Sequence, residues 1–110
     1  MEGKNLALKI IEKYSSTDVF DLAKQAGVAI IYEKWHPVTY GEFDKKNLTI
    51  SINLNAPLSI DCILAHELGH FFIHKMGIAM GKLEEEIVAE DFAKTIAAHY
   101  ESKTFSITKA

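Results

Sequence analysis

The chain has 110 residues, 48% hydrophobic and 25% charged, the balance of one ordinary globular domain spanning residues 1–110. With 12 basic residues against 15 acidic ones, a net charge of -3 and no dense basic cluster, it lacks the electrostatic footprint of direct nucleic-acid binding. Lys4, Lys9, Glu12 and Lys13 interrupt the N-terminus, which reads as neither a signal peptide nor a membrane span, and a lone Cys62 excludes an internal disulfide, so a cytoplasmic setting is expected.

Residues 5–14 place Leu6, Ile10 and Tyr14 at helical spacing and predict a short amphipathic helix. Ser16, Thr17 or Asp18 can cap a second helix that runs to about Ala26 and is stopped by Gly27. Residues 28–34, rich in β-branched and aromatic types, read as a strand, and Tyr40–Phe43 as a shorter one after an irregular stretch. Residues 48–54 alternate strictly, with Leu48, Ile50, Ile52 and Leu54 on one face, as a half-buried strand does. Asn55-Ala56-Pro57 ends that strand, and residues 58–75 carry a strongly apolar helical pattern. Gly77 and Gly81 bracket a turn, residues 83–101 form a last helix, and Ser102 to Ala110 are expected to fray or add an extended segment. Helices, then a small sheet, then a helix pair make an α+β fold.

Residues 66–70 read His-Glu-Leu-Gly-His. On a helix, residues four apart lie about 40° round and ~5.4 Å along, so the His66 and His70 imidazoles can converge on one tetrahedral ion such as Zn2+. Glu67 sits on the adjacent face, placed to act as a general base on a water activated by the metal rather than as a ligand. Two histidines flanking a glutamate in the most apolar helix of the chain are costly to bury without a purpose. A zinc hydrolase needs a third protein ligand and one open position. If the histidine helix ends near Met76, about 9 Å past His70, and the turn at 77–82 reverses the chain, Glu86 returns to the level of His70. Glu86, Glu90, Ala93 and Ala97 share a face, with Ala89 beside it, and its small alanines are expected to pack on the histidine helix. Glu86 is the expected third ligand, and Glu90, one turn on, the other candidate. Glu84 and Glu85 are expected to point elsewhere, as first-turn acids favoured by the helix dipole.

The run HELGHFFIH at 66–74 followed by EIVAEDFA at 86–93 resembles the ImmA/IrrE-type metallopeptidase family, a gluzincin group. The upstream DVFDLAKQAGVAIIYE (18–33) and LTISIN (48–53) are similar to its entry into the active helix, so the resemblance covers nearly the whole chain. The histidine motif alone is shared by many zinc peptidases; with E-x-x-A-x-x-F-A it is far more specific. The resemblance implies a small zincin-like (minigluzincin) domain. Its N-terminal helices and small, mostly antiparallel sheet lead to a histidine helix packed on a C-terminal ligand helix. It implies Zn2+ on His66, His70 and Glu86, catalysis by Glu67, and a separate DNA-binding repressor of mobile-element or phage type as protein substrate. Glu90 stands where the family commonly has Asn or Asp, a position that orients a ligand ring. Lys94 to Tyr100 replace a Leu-Leu-Met-Pro-like continuation. The alternative on the same scaffold is a non-catalytic metal-binding regulator that inactivates a repressor or toxin partner; the intact Glu67 speaks for hydrolysis.

The remaining candidates carry less. His74 can line the cleft or sit at an exposed helix end. Tyr40, Tyr100, His36 and His99 are all candidate donors to an oxyanion. Val88, Phe92 and Ile96 read as core, Cys62 as a small core residue, Trp35 as core or cleft wall, and Gly69 as a point of close backbone approach. Strand 48–54, if it is the sheet edge, could hold an extended substrate by strand addition.

Overall fold

The computed structural model describes residues 2–109, with side chains described through Glu101. Its elements, in order, are α1 (Gly3–Tyr14), α2 (Val19–Ala26), β1 (Ala29–Glu33), β2 (Gly41–Asp44), β3 (Thr49–Asn53), α3 (Ile60–Lys75) and α4 (Lys82–Lys109). This is a small α+β fold. Among the described residues, no helix is long and apolar enough to cross a membrane.

The centre is α3. Ile63, Leu64, Ala65, Leu68, Phe71, Phe72 and Ile73 are all buried, and they occupy every side of the helix. A helix apolar all round must be surrounded. Accordingly α2, α4, β2 and β3 all pack against α3. Helix α1 adds a further layer on α4, burying Leu6, Ala7 and Ile10. Its N-terminus has no cap from its own side chains; instead the Lys4 N–H donates to the Asp91 carboxylate of α4 at 2.8 Å. Asp18 is the residue that caps α2, accepting from the N–H groups of Phe20 and Asp21, and Gly27 closes that helix at φ 78°.

The sheet departs from expectation in two respects. Its order is β1-β3-β2, with β1 parallel and β2 antiparallel to β3, so it is mixed rather than mostly antiparallel. Strand β3 is central and paired on both sides, so the condition on which strand addition depended, an edge position, is not met. The hydrophobic alternation is also shorter than it reads. Ile50 and Ile52 are fully buried, whereas Leu48 and Leu54 lie just outside the strand and are 46% and 43% exposed. Leu48 ends the β2–β3 turn at φ 49°, a left-handed conformation that swings its side chain off the core face. At the other end of the chain the last helix runs on to Lys109 in place of the expected fraying or extended segment; Ala110 lies outside the described residues.

Candidate metal centre

Two helices build the site, and one glycine sets how closely they approach. A Cβ added to Gly69 of α3 would lie 2.8 Å from the Cα and 3.0 Å from the carbonyl oxygen of Ala89 on α4. The helix backbones therefore touch at Gly69 and Ala89. The face carrying Ala93 and Ala97, expected against the histidine helix, instead opens on a cleft beside it.

That close approach brings three donors to a point. His66 Nε2 lies 3.1 Å and His70 Nε2 3.0 Å from the two Glu86 carboxylate oxygens, and the two Nε2 atoms are 3.3 Å apart. Donors held ~2.0–2.1 Å from one tetrahedral ion are separated by roughly 3.3–3.4 Å, the edge of the tetrahedron. Both Nδ1 atoms are also engaged. His66 Nδ1 is 3.0 Å from Glu90 Oε2, and His70 Nδ1 is 2.5 Å from Glu85 Oε2. An ionised carboxylate only accepts, so each neutral ring carries its proton on Nδ1 and turns a bare lone pair inward. Two imidazole lone pairs and a carboxylate then face one another with no donor among them. The donor set thus fits a zinc ion.

Glu67 stands apart from this triad, as the motif leads one to expect. It is only 8% exposed and borders the same cleft as His66 and Glu86. Burial pushes its carboxyl above the ordinary carboxylate range; the His70 and His66 rings oppose that shift, and Glu86 and Glu42 reinforce it. Strand β2 leaves room for it: a Cβ on Gly41 would lie 3.0 Å from Glu67 Cγ and 2.6 Å from the Ile63 side chain.

Several expectations change. Glu85, assigned to the helix dipole, is instead the partner of His70 and reaches His74 Nε2 at 3.4 Å. Of the two readings of His74 the exposed helix end is the one found: it is half-exposed in the last turn of α3, its ring tilted 5.8 Å from that of Phe43, and it does not border the cleft. Cys62 is exposed and lines the cleft rather than the core. Trp35 is neither core nor cleft wall; it is half-buried in the 34–40 loop with its indole N–H donating to Thr39 Oγ1. Of the four oxyanion-donor candidates only Tyr40 and Tyr100 border the cleft, whereas His36 and His99 do not. Asn53 is buried and went unnoticed in the sequence. Its side chain accepts from Trp35 N and Asn55 N and donates to the Thr39 carbonyl, holding the loop that carries Tyr40. Val88, Phe92 and Ile96 are core as expected.

No protein-family model matches the chain, and no curated protein matches it either.

Proposed function

We propose that the chain is a zinc-dependent metallopeptidase that hydrolyses a peptide bond in a protein substrate. The observation that carries this reading is the convergence of His66, His70 and Glu86 within 3.0–3.3 Å of one another, beside the buried side chain of Glu67. Zinc held by His66, His70 and Glu86 would supply Lewis acidity to a peptide carbonyl and to water. Glu90 and Glu85 orient the ligand rings through the opposite nitrogens. Glu67 accepts the proton of the attacking water and delivers it to the departing amine nitrogen. The apolar side chains of Ile63 and Ala65 border the cleft there and restrict bulk water. Tyr40, next to the Gly41 that packs on the Glu67 side chain, is the hydroxyl at hand to donate to the oxyanion.

The resemblance of residues 66–74 and 86–93 to ImmA/IrrE-type peptidases supports a separate DNA-binding repressor as the substrate and a cytoplasmic setting for the reaction. Replacing Glu67 by Gln tests the reading. The variant is expected to bind zinc as the wild type does while losing at least about a hundredfold in cleavage rate. Zinc content by elemental analysis and fragment appearance by mass spectrometry measure the two. Wild-type turnover in Glu67→Gln removes Glu67 from the chemistry. A zinc-loaded wild type that binds a repressor without cutting it would favour the non-catalytic alternative.

A further inference from the structure

Strand β1 lies at the edge of the sheet farther from the metal, and its outer side is open. Ala29 N–H donates to the Leu48 carbonyl, and the Glu33 carbonyl accepts from Leu54 N–H, so both residues turn their backbone groups toward β3. Backbone direction alternates along a strand. Ile31 therefore faces β3 as well, whereas the N–H and C=O groups of Ile30 and Tyr32 point away from the sheet. Among the described residues no strand pairs with that side. Natural sheet edges are commonly blunted by charged side chains, proline or a bulge. The opposite edge, β2, carries Glu42 and Asp44. In β1 the middle positions are Ile30, Ile31 and Tyr32, with Ile31 42% and Tyr32 46% exposed.

We infer that β1 is the interface of a reversible homodimer, pairing antiparallel with β1 of a second copy about a two-fold axis at Ile31 and joining two three-stranded sheets into one. The free backbone groups are symmetric about residue 31, which makes the edge complementary to itself. With Ile31 opposite Ile31, Ile30 of each copy lies opposite Tyr32 of the other, and every free N–H of these residues meets a free carbonyl. Neighbouring registers are worse. Sliding the pair toward Val28 meets an N–H already bonded to the Ala23 carbonyl. Sliding it toward Lys34 runs past the end of the strand and sets Glu33 against Ile31. In the symmetric register Glu33 faces Ala29, so no like charges meet. Lys34 then comes beside Val28 of the second copy, next to the C-terminal end of its α2, where the helix dipole favours a cation. Backbone and charge thus both fit a second copy of this chain. Two five-residue strands bury less than the roughly 1,600 Å² of a standard interface, so association depends on concentration. The cleft, bordered by Gly41 of β2 at the other edge, stays open in the pair, and the inference does not rest on the peptidase reading.

Sedimentation velocity of the full chain at rising concentration, up to about 1 mM, reads the association. The average mass is expected to climb from monomer toward dimer, alike with zinc and with chelator. Ile31→Lys sets two ammonium groups face to face on the axis and is expected to weaken the dimer at least tenfold, with the thermal melt of the monomer unchanged. Cross-linking in a Cys62→Ser background reads the register, whether or not the lysine variant folds. Ile31→Cys is expected to form an intermolecular disulfide on oxidation, because side chains opposite one another lie ~4.5–5.5 Å apart. Glu33→Cys thiols, separated by four residues or about 13 Å along the paired strands, are expected to stay reduced. A monomer at every concentration, a dimer formed only with zinc, a dimer untouched by Ile31→Lys, or a Glu33→Cys protein that cross-links as fast as Ile31→Cys would each overturn the inference.

Discussion

An imidazole offers a metal one nitrogen and leaves the other to the protein, and what the protein does with the second decides how well the first binds. At His66 the second nitrogen meets Glu90, and at His70 it meets Glu85. The sequence discloses the first pairing and hides the other. Glu90 shares a helical face with Glu86, whereas Glu85 precedes it by one residue and points about 100° away on a helical wheel. His70 lies over the seam between the two glutamates, and a side chain as long as glutamate's spans the difference, which a wheel of Cα directions does not show. The side-chain relative exposures of Glu85 and His70, 21% and 12%, are low enough that water competes weakly for the bond. Glu85→Ala is therefore expected to weaken zinc binding roughly 10–100-fold, as loss of an outer partner of a ligating histidine usually does. Glu84→Ala, one residue away, serves as the comparison and is expected to leave affinity unchanged. Competition against a chromophoric zinc chelator reads both, and equal affinities for the two variants would return Glu85 to the role of a first-turn acid.

Between elements, the contact that matters most is Gly69 on Ala89. Legibility differs between the two helices and the sheet for a physical reason. Helix α3 announces itself by composition and α2 by its cap and terminal glycine, both local signals. Strand order is non-local, so nothing in Ala29–Glu33 or Thr49–Asn53 says that they run parallel and leave Gly41–Asp44 at the edge. The small residues at 69 and 89 predict a close crossing, but only coordinates tell that Ala93 and Ala97 lie past it and border open space. Because α3 and α4 touch through backbone there, a methyl at 69 has nothing flexible to displace. Gly69→Ala gains helix propensity, worth up to ~1 kcal/mol, and forces the helices apart, costing about 1–3 kcal/mol. The expected net result is a destabilisation in urea together with a weaker zinc site, since the same separation draws Glu86 off the histidines. Unaltered zinc affinity in a destabilised Gly69→Ala protein would mean that the triad is positioned by something other than this crossing.

Over the whole molecule, the 15 acidic residues are spread unevenly: Glu67, Glu85, Glu86 and Glu90 converge on two imidazoles in one corner of the fold. Like charges so gathered repel one another, and after burial the Glu86 carboxylate is one of the groups that push the Glu67 carboxyl up. A cation bound there relieves the repulsion only in the folded chain, because residues 66, 70 and 86 meet only when α3 and α4 pack. Binding free energy then becomes folding free energy. With free zinc at a hundred times its dissociation constant, the gain is about 2.7 kcal/mol, which for a domain of this size raises the melting temperature by roughly 10 °C. Differential scanning fluorimetry with zinc, and then with excess chelator, is expected to show the rise and its reversal. Magnesium is expected to give no comparable shift, since nitrogen donors suit zinc and not a hard oxygen-seeking ion. His70→Ala, which leaves two ligands and unpins Glu85, is expected to abolish the zinc-dependent rise. A melting temperature that zinc leaves within a degree of the chelated protein's would mean the three donors meet without holding an ion, and the hydrolytic reading would go with them.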